Sequence, residues 1–193
     1  TGFPAGQIPH ELKLEQIRSS IAEGAQEIDI VISRPLVLEG RWADLHEEIR
    51  SYREACGEAA CLKTILATGE LGDLRQVARA SRVCLGAGAD FIKTSTGKES
   101  VNATLPVALV MLRAIREHHQ RSGYLAGFKP AGGIKTAKDS ISFLMLVKEE
   151  LGVESMQPNR FRIGASSLLA DIERQLEFHA TGRYSATHRH PMG

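Results

Sequence analysis

Short apolar, β-rich runs recur along this chain roughly every 30 to 35 residues, the length of one βα unit. They are EIDIVIS (27–33), CLKTILAT (61–68), DFIKTST (90–96), LAGFK (125–129) and FRIGA (161–165). Stripes with helical spacing surround them: Leu14, Ile17 and Ile21; Trp42, Leu45, Ile49 and Tyr52; Leu74, Val77, Ser81 and Leu85. The third stripe stops at Gly86 and Gly88, residues expected just past a helix end. Asn102 is expected to cap the next helix, with Pro106 in its first turn and Val107, Val110, Met111 and Ala114 facing inward. Thr136 and Asp139 read as a capping pair before Ile141, Leu144 and Met145, and Leu169, Ile172 and Leu176 form the last stripe. All of these apolar positions are expected to pack in the core.

Regular alternation of strands and helices implies a parallel sheet covered by helices, because a right-handed crossover needs a connection of helix size. A doubly wound sheet would place a glycine-rich phosphate loop after its first strand, and no GxGxxG occurs here. A (β/α)8 barrel places phosphate-binding glycines after its seventh and eighth strands. This chain has GGI after its fourth run and GASS after its fifth. The expectation is therefore an incomplete barrel in which the five runs are strands four to eight. TGFPAG would then be the tail of strand three, and strands one, two and most of three would be missing. Residues 1–179 form the barrel part in this reading, and 180–193 a polar, disordered tail.

Charge is distributed unusually along the runs. Of eight lysines, Lys63, Lys93 and Lys129 lie inside strand-like segments, and Asp29 is flanked by Ile28, Ile30 and Val31. One strand lysine alone would read as a snorkelling side chain or an ordinary ion pair. Three on successive strands beside an aspartate point to one polar pocket at the strand ends. An unperturbed lysine, with a pKa of about 10.4, leaves only about one amine in 2,500 uncharged at pH 7. Desolvation and a neighbouring ammonium both disfavour the charged form, which is the standard way to make a lysine nucleophilic enough for Schiff-base chemistry. Lys63 is the weakest member, since it could simply balance Asp29.

Composition excludes other classes. The formal net charge of +1 over 193 residues leaves no global field to hold nucleic acid or an acidic membrane. No apolar run approaches the roughly 18 residues of a membrane span, and the N-terminus has neither a basic n-region nor an apolar h-region. Cys56, Cys61 and Cys84 have no ligand spacing and read as free buried thiols of a cytosolic protein. Neither a metal nor a cofactor is called for.

The segments that carry the lysines also carry a resemblance. DFIKTSTGKE (90–99), GFKPAGGIK (127–135) and RIGASSLL (162–169) closely resemble the three signature stretches of the deoxyribose-phosphate aldolases, a class I aldolase family. TGFPAG, EIDIVI and LKTILATGEL are similar to further blocks in the same order, so the likeness runs from Thr1 to about Leu176. The resemblance implies that Lys93 is the Schiff-base lysine and that Lys129 lowers its pKa. It also implies that Asp29 works with Lys129 and a water as proton relay, and that Lys63 lines the pocket. A small phosphorylated sugar would be the substrate. Its phosphate would be held by the backbone and hydroxyls of Gly97, Gly132, Gly133, Gly164, Ser166 and Ser167, with Lys98 and Lys135 adding charge. The implied reaction is reversible cleavage of 2-deoxyribose 5-phosphate to glyceraldehyde 3-phosphate and acetaldehyde, and a homo-oligomer is left open.

Two departures stand out. Pocket residues from the first two strands would be lost, and the terminal tyrosine that reaches the phosphate in many bacterial relatives has no clear match, since Tyr184 is followed by ATHRHPMG. His188 and His190 in that tail read as incidental. Rivals are another phosphosugar enzyme such as a transaldolase or an isomerase, and an inactive or partner-dependent fragment of a barrel.

Overall fold

The first four β-rich runs become four parallel strands. A computed structural model describes residues 1–186, so His188 and His190 lie outside the described residues. In chain order the elements are α1 (His10–Ala22), β1 (Glu27–Val31), α2 (Arg34–Leu38), α3 (Trp42–Cys56), β2 (Cys61–Ile65), α4 (Leu74–Gly86), β3 (Phe91–Lys93), α5 (Leu105–Ser122), β4 (Gly127–Lys129), α6 (Ala137–Leu151) and α7 (Leu168–Thr181). Each strand pairs with the next in sequence, in the order β1-β2-β3-β4. No reversal interrupts this order, as one would at the switch point of a doubly wound sheet.

Strand residues point alternately to opposite faces. Ile28, Ile30, Leu62, Ile92 and Phe128 bury themselves in the core, joined by Leu14 and Ile17 of α1, Leu45, Ile49 and Tyr52 of α3, Val77 and Leu85 of α4, and Met111 and Ile115 of α5. Their neighbours Glu27, Asp29, Lys63, Phe91, Lys93 and Lys129 take the other face. Gly127 belongs to that second face because a Cβ there would stand 2.3 Å from the Phe91 ring.

The fifth run does not become a strand. It makes two isolated parallel bridges, Phe128 with Phe161 and Ala131 with Gly164. The cause is Pro130. Phe128 receives Arg162 N–H and donates to Arg160 O, and Gly164 N–H reaches Pro130 O, but proline has no N–H to complete the ladder between them.

Helix ends are built as the local chemistry demands. Asp73 caps α4 by accepting from Gln76 N–H, and Thr136 and Asp139 form the expected reciprocal capping box of α6. Thr104, not Asn102, caps α5, with Pro106 in its first turn. Asn102 instead accepts from Ser95 Oγ and donates to Glu99 O, so its side chain is committed to a loop.

Two expected core stripes turn outward in part, with Leu144 and Ile172 still packed against the core. Ile141 and Met145 of α6 are 53% and 61% exposed, while Ser140, Phe143 and Val147 make the buried line. Leu169 and Leu176 of α7 are 62% and 63% exposed, and Leu168 is the buried residue. Helix α7 runs through Thr181 and closes on Gly182. Beyond it Tyr184 stacks on Phe178 with ring centroids 4.3 Å apart, and Ser185 is buried. Among the described residues no helix is long and apolar enough to cross a membrane. The three cysteines are free, with Cys56 and Cys84 buried and Cys61 half-buried.

Candidate active site

Register brings the strand charges together. Asp29 pairs with Lys63 across β1 and β2, and Lys93 pairs with Lys129 across β3 and β4, all on the face turned away from the core. Lys93 and Lys129 are the last residues of their strands, whereas Asp29 and Lys63 lie mid-strand.

One carboxylate joins all three amines. Lys93 Nζ donates to Asp29 Oδ2 at 2.9 Å and Lys129 Nζ donates to the same oxygen at 3.1 Å. Lys63 Nζ stands 3.1 Å from Asp29 Oδ1 and donates to Glu27 Oε2 at 2.7 Å. Glu27 also receives Arg162, through N–H···O bonds of 2.7 and 2.6 Å. The cation-rich cluster is largely withdrawn from water: Lys63 and Lys93 are buried and Lys129 is partly so. Lys63 therefore divides its charge between two carboxylates, Asp29 and Glu27.

This arrangement sets the proton affinities. Burial opposes the charged carboxylate of Asp29, but the Lys93 hydrogen bond and the charges of Lys93, Lys63 and Lys129 outweigh it and hold Asp29 well below the usual carboxylate range. For Lys93 burial is the largest influence and pulls the pKa down. The bond and charge of Asp29 push it up, Lys129 and Lys63 push it down again, and the balance lies below the ordinary 10.5. A neighbouring ammonium contributes, as the sequence suggested, yet desolvation weighs more.

Next to the cluster opens a cleft of about 420 Å³ lined by Lys93, Lys129, Thr96 and every residue expected to hold an anion: Gly97, Lys98, Gly132, Gly133, Lys135, Gly164, Ser166 and Ser167. Two loops shape it and are stitched together at their roots. Thr94 Oγ1 and Ser95 Oγ both donate to Ala131 O, and Ala131 N–H returns to Thr94 Oγ1. Gly132 has φ +80°, and a Cβ there would stand 2.7 Å from the Asn102 side chain, so close loop approach requires glycine. At the far wall Ser166 and Ser167 line the cleft just before α7, and Ser167 makes no side-chain cap.

Three expected backbone contacts are changed. Gly132 N–H donates to Gly164 O at 3.0 Å, and Gly164 N–H donates to Pro130 O at 2.8 Å. The N–H of Gly97 is likewise not free for an external anion, because it donates to Glu99 Oε2 at 3.1 Å. Glu99 was overlooked in the sequence although the TGKE spacing, threonine followed three residues later by glutamate, is a capping-box pattern. Glu27 and Arg162 were overlooked too, and each lies in a β-rich run whose charge could have been paired with Lys63. Phe3, about half exposed, sets its ring 5.2 Å from Lys93 Nζ. Tyr184, stacked on Phe178, is not among the residues lining the cleft.

Residues 4–173 match the DeoC/LacD family of aldolases, and the chain belongs to that family. It is 62% identical over 192 residues to a deoxyribose-phosphate aldolase of Bos taurus and to one of Mus musculus, covering 100% of this chain and 60% of each relative. The chain thus spans about 60% of the length of the curated relatives it matches. Among solved structures, the tetrameric deoxyribose phosphate aldolase of Aeropyrum pernix superposes with a TM-score of 0.69 at 25% identity, over 92% of this chain and 66% of that one. The aldolase QR15 gives 0.71 at 28% identity, over 93% and 72%.

Proposed function

We propose that this chain carries the catalytic pocket of a deoxyribose-phosphate aldolase, with Lys93 as the Schiff-base nucleophile. The observation that carries this reading is the pair of amines, Lys93 and Lys129, sharing one oxygen of Asp29 at 2.9 and 3.1 Å. Burial and two further ammoniums favour the neutral Lys93 amine, and ionised Asp29 anchors both amines for the proton relay.

In the reaction Lys93 attacks the C1 aldehyde of open-chain 2-deoxyribose 5-phosphate and water leaves, forming an iminium. Asp29 and Lys129, through a water, remove the proton of the C3 hydroxyl. The C2–C3 bond breaks, its electron pair passes to the iminium, and glyceraldehyde 3-phosphate departs. The enamine left on Lys93 is protonated at carbon and hydrolysed to acetaldehyde, and each step runs in reverse for synthesis. Lys63 keeps Asp29 ionised and placed. The phosphate would lie against the Gly132–Gly133 loop, Gly164 and the Ser166–Ser167 start of α7, with Lys98 and Lys135 supplying charge.

The fold reading attached to this function is that β1 to β4 are strands four to seven of a (β/α)8 barrel, with the bridged segment at Phe161 and Gly164 as the eighth. Consecutive parallel order and a polar inner face support it. A cytosolic setting fits the free thiols. Self-association fits the exposed Leu169 and Leu176 and the tetrameric relative.

Borohydride reduction in the presence of acetaldehyde tests the reading. Peptide mass spectrometry should find one ethyl group on Lys93 and none when Lys93 is Met. An unmodified Lys93 at saturating acetaldehyde would sink it.

A further inference from the structure

The loop after β3 holds an anion of its own. Glu99 Oε2 accepts from three consecutive backbone donors, the N–H groups of Thr96, Gly97 and Lys98, each at 3.1 Å, and from Thr96 Oγ1 at 2.9 Å. Its Oε1 takes a second bond from Thr96 N–H at 3.0 Å. Successive N–H groups converging on one point form an anion-binding nest, and Gly97 at φ +88° supplies the left-handed residue that such a turn needs. Asn102 clamps the other end by donating to Glu99 O at 2.8 Å while it receives Ser95 Oγ.

We propose that Glu99 is a positioning residue for the phosphate of the substrate, folding residues 96–98 into an arch that aims the Lys98 ammonium into the cleft. This rests on the aldolase reading for the identity of the phosphorylated ligand. Thr96, Gly97 and Lys98 all line the cleft, yet their N–H groups are satisfied from within the loop. What the loop offers an incoming anion is therefore the Lys98 side chain, held by a backbone that Glu99 keeps in shape. A free nest would collect anions at the loop lip. A filled one directs the phosphate to the opposite wall, formed by Gly133 and the Ser166–Ser167 start of α7.

The test is titration with inorganic phosphate, by calorimetry or amide chemical shift, on the wild-type chain and on Glu99→Ala, Glu99→Gln and Lys98→Ala. Glu99→Ala should weaken phosphate binding about tenfold, the weight of one hydrogen bond to a charged group. Glu99→Gln keeps an acceptor at the Oε2 position and should recover most of the loss. Combined with Lys98→Ala, the Glu99→Ala change should add little, because it acts through that lysine. Phosphate binding in Glu99→Ala that equals or exceeds wild type would overturn the proposal. So would a Gln protein as weak as the Ala protein, additive losses in the double variant, or wild-type protein that binds no phosphate. Acetaldehyde trapping on wild-type Lys93 needs no phosphate, so its failure would count against the aldolase reading alone.

Discussion

The two faces of one short sheet obey different physics. Toward the helices, Ile30, Leu62, Ile92 and Phe128 are at most 1% exposed and gain from dispersion and the loss of apolar surface to water. Toward the cleft, the alternate residues of the same strands place three lysines around Asp29 and Glu27, where burial opposes charge and only mutual pairing makes it tolerable. Neighbouring residues differ by one position in the chain and by the whole of their energetic role. The helix side holds the sheet in shape, and the cleft side uses that rigidity to keep charges where they would not otherwise stay.

Exchanging the roles of the faces gives the largest expected effect. Phe128→Ala should cost about 3–5 kcal/mol in denaturant unfolding, because a large ring leaves a cavity in a packed layer. Lys93→Met should change stability by about 1 kcal/mol or less, since Asp29 keeps Lys63 and Lys129 as partners, yet it should abolish the ethyl adduct. A Lys93→Met protein that unfolds as readily as Phe128→Ala would erase the distinction between the faces.

Within the polar face, opposite shifts are expected from opposite charges. The pH midpoint of acetaldehyde trapping should rise in Lys129→Met, which removes an ammonium that lowers the Lys93 pKa. It should fall in Asp29→Asn, which removes the carboxylate that raises it. Midpoints that move together would mean that the charges do not act through Lys93.

The smallest effect compares the faces by acid. Ile30→Val should cost about 0.5–1.5 kcal/mol, and by the same amount at pH 3 and pH 7, because no proton is involved. The contribution of Asp29 behaves otherwise. Its folded pKa is lowered, so its stabilisation is complete above its ordinary 3.8 and is lost as pH falls from there toward the folded value. Unfolding at graded acid pH should show a steeper decline in wild type than in Asp29→Asn, where Glu27 and the other paired carboxylates still contribute.

Much of this was legible in the sequence, and the exceptions share causes. Strand positions could be read because alternation has a period of two, and the lysines because charges inside such runs are rare. The fifth run misled because a ladder depends on its neighbour: Pro130 in the adjacent segment, not anything within FRIGA, withholds the N–H. The outward turn of Ile141, Met145, Leu169 and Leu176 was hidden because periodicity identifies an apolar stripe but not what covers it. Asn102 was misplaced and Glu99 overlooked for one reason, since each has the chemistry of a helix start and both are spent on the loop before one. The cleft glycines were found by position and resemblance, while the filling of the nest by Glu99 depends on a side-chain direction that no spacing encodes.

The side-by-side register of Lys93 and Lys129 carries a consequence for folding. A slip of β4 by a single residue would thrust an ammonium among isoleucines and leave Phe128 stranded in the cleft, two penalties from one error. The amines that make the pocket reactive also proofread the alignment of the strands that carry them, so an assembled pocket is itself a sign that the chain has threaded correctly.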